Sequence, residues 1–107
     1  MSQLHALVFY VPVSHSEHLL AAIGDAGAGK IGDYSHCSFT TPGTGHFTPL
    51  PGAKPFIGAV GQGELVPEIR VECVVEADRL DAVIVALRSA HPYEEPAFMT
   101  WPVNGWR

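Results

Sequence analysis

Four segments of the chain have the apolar patterns of β-strands. Residues 4–11 form a near-continuous apolar run closed by a proline, which is typical of a strand buried on both faces in the centre of a sheet. Residues 67–76 alternate apolar and polar positions, so one face of that strand is expected to pack on the core. Residues 33–41, rich in aromatic, Thr and Ser residues, and residues 97–103 predict two more strands. Pro102 indicates that the end of the last strand lies at an edge.

Two segments have the spacing of amphipathic helices. The first is expected to begin at a Ser-x-x-Glu capping box formed by Ser14 and Glu17 and to end at the glycines that start with Gly27. The second is capped by Asp78 and ends at His91, because a residue before proline is disfavoured in α geometry. The predicted core-facing positions are Leu19, Leu20, Ile23 and Ala26 in the first helix and Leu80, Val83, Ile84, Leu87 and Ala90 in the second.

The order of the elements predicts an α+β fold of the ferredoxin-like type, βαββαβ, in which an antiparallel sheet carries both helices on one face. Between the second and third strands, residues 42–63 are rich in glycine and proline, so we expect a long insertion with one short strand at residues 55–60. The uncovered face of the sheet is expected to be partly apolar and to find a partner. Its apolar residues are predicted to include Val74, Met99 and Trp101, alongside Phe9 or Tyr10.

Composition narrows the class of protein. The 107 residues are 47% apolar and 16% charged, which suits one globular domain spanning residues 1–107 and argues against disorder. The net charge is −5 and the six basic residues are scattered, so we expect no nucleic-acid partner. Cys37 and Cys73 allow at most one disulfide. With no secretory signal and no membrane-spanning apolar run, we expect a cytoplasmic protein with reduced thiols and no membrane partner.

The densest polar cluster is the run His-Pro-Tyr-Glu-Glu-Pro at residues 91–96. Its two prolines stiffen the turn, so His91, Glu94 and Glu95 would be held in place for a divalent metal ion or a polar ligand. The alternative is a helix end followed by a solvated acidic turn. That alternative is favoured by composition alone, because one histidine and two glutamates lack the spacing of a His-Glu-x-x-His zinc helix.

A second candidate is the glycine-containing segment around Gly43, Gly45 and His46, where backbone amides could meet an anionic ligand. On the motif alone an ordinary turn is favoured, since neither a dinucleotide fingerprint nor a Walker loop follows. The chain also lacks a Gly-x-Ser-x-Gly elbow and zinc-type Cys or His spacing. Nothing in these patterns requires an enzyme.

Five motifs, taken in order, resemble the PII-like, CutA-like module inserted in many bacterial Nif-three-like proteins. They are Gly-Asp-Tyr-Ser-His-Cys-Ser-Phe at 32–39, Gly-Thr-Gly-His-Phe-x-Pro at 43–49, Pro-Phe-Ile-Gly at 55–58, Glu-x-x-Pro-Glu-x-Arg-x-Glu at 64–72 and His-Pro-Tyr-Glu-Glu-Pro-Ala at 91–97. The resemblance covers nearly the whole chain and implies a ferredoxin-like fold that assembles into trimers or related oligomers through sheet edges. His36, Gly43, Gly45 and His46 lie in these motifs and are the candidate ligand-binding residues.

Fuller members of this family carry the module between two halves of a larger domain that holds a dinuclear metal site. Those halves are not in this sequence, so we expect a stand-alone module to which that site and any hydrolase activity do not transfer. The predicted function is a non-enzymatic PII-like regulatory or binding module, trimeric or dimeric, for a small ligand, a divalent metal ion or a partner protein. The alternatives are a small hydrolase whose metal is held by His46, His91 and Glu94, and a purely structural assembly module.

Overall fold

The computed structural model describes residues 3–105 and contains four strands and two helices. The elements are β1 Leu4–Pro12, α1 Ser16–Asp25, β2 Phe39–Phe47, β3 Glu64–Glu76, α2 Leu80–Ala90 and β4 Phe98–Val103. In the sheet the strand order is β2-β3-β1-β4, and every neighbouring pair is antiparallel. This arrangement confirms the predicted ferredoxin-like α+β fold. In the described part of the chain no helix is long and apolar enough to cross a membrane.

The core lies between one face of the sheet and the two helices. Alternate residues of β1 and β3 point into it, as the period of two in a strand requires, and the predicted apolar stripes of α1 and α2 cover them. The fully buried side chains that meet there include Leu7, Phe9, Val11, Val71, Val75, Leu19, Val83 and Leu87. Both cysteines are free, and burial raises the pKa of the Cys73 thiol to about 11.

The second strand lies six residues further along the chain than predicted. Residues 33–41 were expected to form it, but β2 spans Phe39–Phe47 and includes the glycine segment interpreted as a turn. Cross-strand bonding decides this register, since Phe39 pairs with Glu72 and Phe47 with Glu64 across the hairpin. Residues 55–60, predicted as a short strand, form none.

Both helices begin differently from the prediction. Each follows a short 3₁₀ turn, at Val13–His15 and at Ala77–Arg79, and neither has a side-chain hydrogen bond at its N-cap. The expected capping box is absent because the Ser14 hydroxyl bonds to the neighbouring His15 ring at 2.8 Å instead. The predicted end of the second helix is correct, since His91 leaves the helical region with φ −73° and ψ 133°.

The hairpin of β2 and β3 extends beyond the end of β1. Strand β1 pairs with residues 68–76 of β3, whereas residues 64–67 pair only with residues 44–47 of β2. We call these two paired segments the hairpin arm. The arm makes the molecule elongated, with extents of 47 × 24 × 21 Å, and it forms one wall of the site described below.

The sheet face opposite the helices is partly apolar, as the sequence predicts. Cross-strand pairing places Val74 and Trp101 on either side of Ala6, and Met99 beside Val8, so these residues share that face. Met99 is 49% exposed and Trp101 43% exposed. We call this surface the open face.

Candidate functional site

A groove of about 880 Å³ lies between the hairpin arm and the turn that follows α2. Residues 41–50 form one wall and the turn residues 93–95 contribute to another. Three open-face residues, Tyr10, Glu68 and Arg70, also line it. The groove therefore lies where strand β2 and the loop after it face the turn that follows α2, with the ends of β1 and β3 between them.

A chain of hydrogen bonds fixes the polar side of the groove. The Tyr93 hydroxyl donates to Glu68 Oε2 at 2.7 Å, and the Tyr93 backbone N–H donates to His91 Nδ1 at 3.1 Å. With Nδ1 accepting, Nε2 carries the ring proton and donates it to the Tyr10 carbonyl at 2.6 Å. These bonds tie β1, the turn and β3 together through two side chains that are buried, Glu68 and His91.

The protonation states of this network follow from its surroundings. Burial lowers the pKa of His91, although its bond to the Tyr10 carbonyl and the charge of Glu68 act in the opposite direction. Burial and the bond to Glu68 raise the pKa of Tyr93 well above its usual range. Near neutral pH His91 is therefore an uncharged imidazole and Tyr93 a protonated donor.

Gly45 makes room for the Glu68 carboxylate. A Cβ atom at position 45 would overlap Glu68 Oε1 and Cδ, whereas at Gly43 a Cβ would have no neighbour within 4 Å. Glu68 could not keep its present position beside any larger residue at 45. The two glycines of the strand consequently have different roles, one packing against a carboxylate and the other opening the groove.

Three aromatic side chains meet at the groove. The Phe47 and Tyr93 ring centroids are 5.7 Å apart at 60°, and those of Phe56 and Tyr93 are 6.5 Å apart at 54°. Phe56 also makes an edge contact with His15, with centroids 5.4 Å apart. Through Phe56, the loop between β2 and β3 folds back over the beginning of α1 and over the groove.

The structure brings most of the predicted site residues to this groove. Gly43, Gly45 and His46 line it from strand β2, and Glu94 and Glu95 line it from the turn. The carboxylate of Glu94 also accepts the Lys54 backbone N–H at 3.1 Å. These two segments were predicted separately, and the fold places them opposite each other.

Two predicted site residues lie elsewhere. His36 is outside the groove lining: its Nε2 contacts Asp25 Oδ1 at 2.9 Å at the end of α1, and its φ is +60°. His91 lies behind the groove, with both ring nitrogens hydrogen bonded. Among residues 3–105 no group of three or more His, Cys, Asp or Glu side chains is placed to hold a metal ion. The metal site at His91, Glu94 and Glu95 thus stays a prediction.

Sequence reasoning missed the residues that organise the groove. Glu68 and Tyr93 lie in the motifs at 64–72 and 91–97 that carry the family resemblance, but neither was predicted as a site residue. The usable signal was the run Pro-Glu-x-Arg-x-Glu at 67–72, which repeats charges on the strand face away from the core. Phe47 and Phe56 also stand in motifs of that resemblance, at 43–49 and 55–58, but nothing in the sequence shows that they lie close together, because their proximity depends on the register of β2 and the path of the loop after it.

Comparison with known proteins identifies the class. No family model matches the chain. Its fold is shared by the periplasmic divalent cation tolerance protein CutA of Archaeoglobus fulgidus, with a TM-score of 0.68 and 13% identity over 97% of this chain and 87% of the other. The Bacillus subtilis GlnK–ATP complex gives a TM-score of 0.64 and 12% identity over 96% and 84% of the two chains. These likenesses concern the fold alone, which is of the PII/CutA-like type.

Relatives with higher identity define the family more closely. A Bacillus cereus protein related to NIF3 has a TM-score of 0.83 and 43% identity over 97% of this chain and 26% of its own. The GTP cyclohydrolase 1 type 2 homolog of Bacillus subtilis is 53% identical over 94% of this chain and 27% of its own length. The GTP cyclohydrolase 1 type 2 homolog of Mycobacterium tuberculosis is 54% identical over 91% of this chain and 26% of its own length. The chain is similar over nearly its whole length to one part of these Nif3-like proteins and has the PII/CutA-like fold, and it spans about a quarter of the length of these curated relatives.

Proposed function

We propose that the chain is a non-enzymatic binding module that takes a small ligand in the groove between the hairpin arm and the turn after α2. The observation that carries this proposal is the buried hydrogen-bonded network of Glu68, Tyr93 and His91, which holds one side of the groove in place before any ligand arrives. A volume of about 880 Å³ lies within the range of small-molecule sites. Fixed polar groups beside apolar walls are typical of such sites.

The chemistry of the network favours binding over catalysis. A general base or metal ligand needs a free nitrogen, and His91 already uses both of its ring nitrogens. Tyr93 retains its proton, since its pKa is raised and its hydroxyl donates to Glu68. The network thus supports positioning of a bound molecule rather than proton transfer to it.

The test is an NMR titration of the isotope-labelled chain with a panel of small organic cations, anions and neutral molecules, and separately with Mg²⁺, Zn²⁺ and Cu²⁺ salts. We expect at least one organic probe to shift the amide signals of residues 43–47 and 93–95. A Gly43→Leu variant should remove that response, because a side chain at position 43 enters open space in the groove. Gly63→Leu, outside the groove lining, is the matched control.

Two results would contradict the proposal. One is the absence of any groove response across the whole panel of organic probes. The other is a response to a metal salt alone that disappears in a His91→Ala variant, which would favour the metal site predicted at His91, Glu94 and Glu95. In the second case the hydrolase alternative would have to be measured directly, by turnover with and without the metal.

We further propose that the module assembles into a homo-oligomer, a trimer or a dimer, through the open face. Trp101, Met99 and Phe39 expose large apolar side chains there, and such a surface normally has a partner. Light scattering should give a mass above that of one chain. A Trp101→Glu variant should shift the mass toward the monomer, whereas Val85→Glu, on an exposed position of α2, should leave it unchanged. A monomer at every concentration would refute the assembly.

A further inference from the structure

Aromatic rings and a buried carboxylate face the same groove. Tyr93 stands between Phe47 and Phe56 at steep interplanar angles, and Phe56 is 52% exposed, so ring surface is open to a ligand. Glu68, which lines the groove, is only 8% exposed. Its Oε2 accepts the Tyr93 hydroxyl, while its Oε1 accepts no hydrogen bond from residues 3–105. Because Glu68 lines the groove, this oxygen is placed to accept a hydrogen bond from a ligand.

The charges of the groove lining have one predominant sign. Glu68, Glu94 and Glu95 contribute carboxylates, and Arg70 is the lining residue of opposite charge. Arg70 is engaged by Glu72, with Nη2 and Oε2 3.3 Å apart. The lining therefore attracts cations and repels anions, and the apolar walls strengthen that preference by excluding water.

We propose that the ligand of this groove is a small organic cation, an ammonium head on an apolar stem; this assignment rests on the binding function proposed above. The head would be held by Glu68 Oε1 and by the faces of the aromatic rings, which attract cations through their quadrupoles. The stem would lie against the apolar side chains of the loop, Pro49, Leu50 and Ile57. An ammonium ion supplies both the charge and the hydrogen-bond donors that Glu68 lacks.

A bare metal ion satisfies these features less well. Hard divalent cations need several oxygen ligands in a defined geometry, and no such group of side chains is formed among residues 3–105. Aromatic rings in the lining have no role for a strongly hydrated ion, but they provide favourable contact for a weakly hydrated ammonium group. The ring cluster thus points to an organic cation.

The experiment compares butylammonium with butanol and butyrate, three probes of similar shape and different charge, by NMR titration of the unchanged chain. Tetramethylammonium is added as a cation that cannot donate a hydrogen bond. We expect butylammonium to bind at least about tenfold more tightly than butanol or butyrate, because only it complements Glu68. The affinity should fall as salt is added, since the attraction is electrostatic.

Two variants test the assigned contacts. Glu68→Gln keeps the shape and an acceptor for Tyr93 but removes the charge, and should weaken butylammonium binding about tenfold; Glu72→Gln, four residues along the same strand and outside the lining, should change it less than about twofold. If Glu68→Gln unfolds, Phe56→Leu on the exposed loop gives an independent test. It should weaken binding of both cations about threefold or more and leave butanol unchanged.

The outcomes separate the two proposals. Equal or tighter binding of butanol or butyrate in the groove would overturn the organic-cation assignment while leaving the binding function intact. Cation binding that survives both Glu68→Gln and Phe56→Leu would also overturn it. If none of the four probes and nothing in the wider panel reaches the groove, both proposals fail together.

Discussion

Replacing Gly45 by alanine is expected to destabilise the protein by about 1–2 kcal/mol, which for a chain of this size lowers the melting temperature by about 5–10 °C. The added methyl group would overlap the Glu68 carboxyl group, so Glu68 must move. It is nearly buried and bonded to Tyr93, and moving it breaks that charge-assisted bond and leaves a carboxylate without a donor. The lower backbone entropy of alanine in the unfolded chain offsets only part of this loss.

The matched control is Gly43→Ala on the same strand. A Cβ atom there meets nothing within 4 Å, so stability should stay the same or rise slightly. Thermal unfolding of both variants provides the comparison. Repeating the Gly45 change in a Tyr93→Phe background completes a double-mutant cycle, in which the cost should shrink because the bond to Glu68 is already absent. Equal stability losses at positions 43 and 45 would contradict the packing role of Gly45.

The fold could be predicted where the amino-acid pattern is local. Strands β1, β3 and β4 and the body of both helices follow from runs and alternations of apolar residues, which report directly on burial. Strand β2 could not be placed in this way. Phe39–Phe47 carries two glycines and a proline and is mostly exposed, so it has no core-facing pattern, and its strand conformation is stabilised by pairing with β3. Long-range pairing of that kind is not visible in a single sequence.

The candidate site, like the fold, could be predicted only where its signal is local in the sequence. The turn at residues 91–96 stood out because prolines and carboxylates concentrate there, and the segment at 43–46 because of its glycines. That these two segments face each other depends on the pairing of β2 with β3, which places Gly43 beside Glu68, and on the turn after α2, which brings Tyr93 to the same carboxylate. The hydrogen bonds of His91 could not be read from the sequence for a related reason, and the metal site at His91, Glu94 and Glu95 stays a prediction. A histidine at a helix end has the composition of a ligand, but here the Tyr10 carbonyl and the Tyr93 amide occupy its two nitrogens.

Replacing His91 by alanine is expected to cost about 2–4 kcal/mol. The ring is 6% exposed, and its removal leaves a cavity as well as two backbone groups, the Tyr10 carbonyl and the Tyr93 N–H, without their partners. Tyr93 would lose its orientation toward Glu68, so butylammonium binding should also weaken. Urea unfolding measures the first effect and the NMR titration the second. His18→Ala, an exposed position on α1, is the control and should change neither.

His91 should also make stability depend on pH. Its pKa is lowered in the folded protein from an ordinary value of 6.5, chiefly by burial, with His15 acting in the same direction and Glu68 against it. Below pH 6.5 the unfolded chain therefore binds a proton more readily than the folded protein, and the free energy of unfolding falls as the pH drops from 6.5 toward the lowered pKa. Once protonated, Nδ1 could also no longer accept a hydrogen bond from the Tyr93 N–H.

Unfolding free energies measured between about pH 5 and pH 8, above the range where most carboxylates titrate, should show this decline in the unchanged chain and in His18→Ala. The decline should be smaller in His91→Ala. If the free energy of unfolding falls equally with pH in all three proteins, the pH dependence belongs to other groups, and His91 is not the neutral centre of the network.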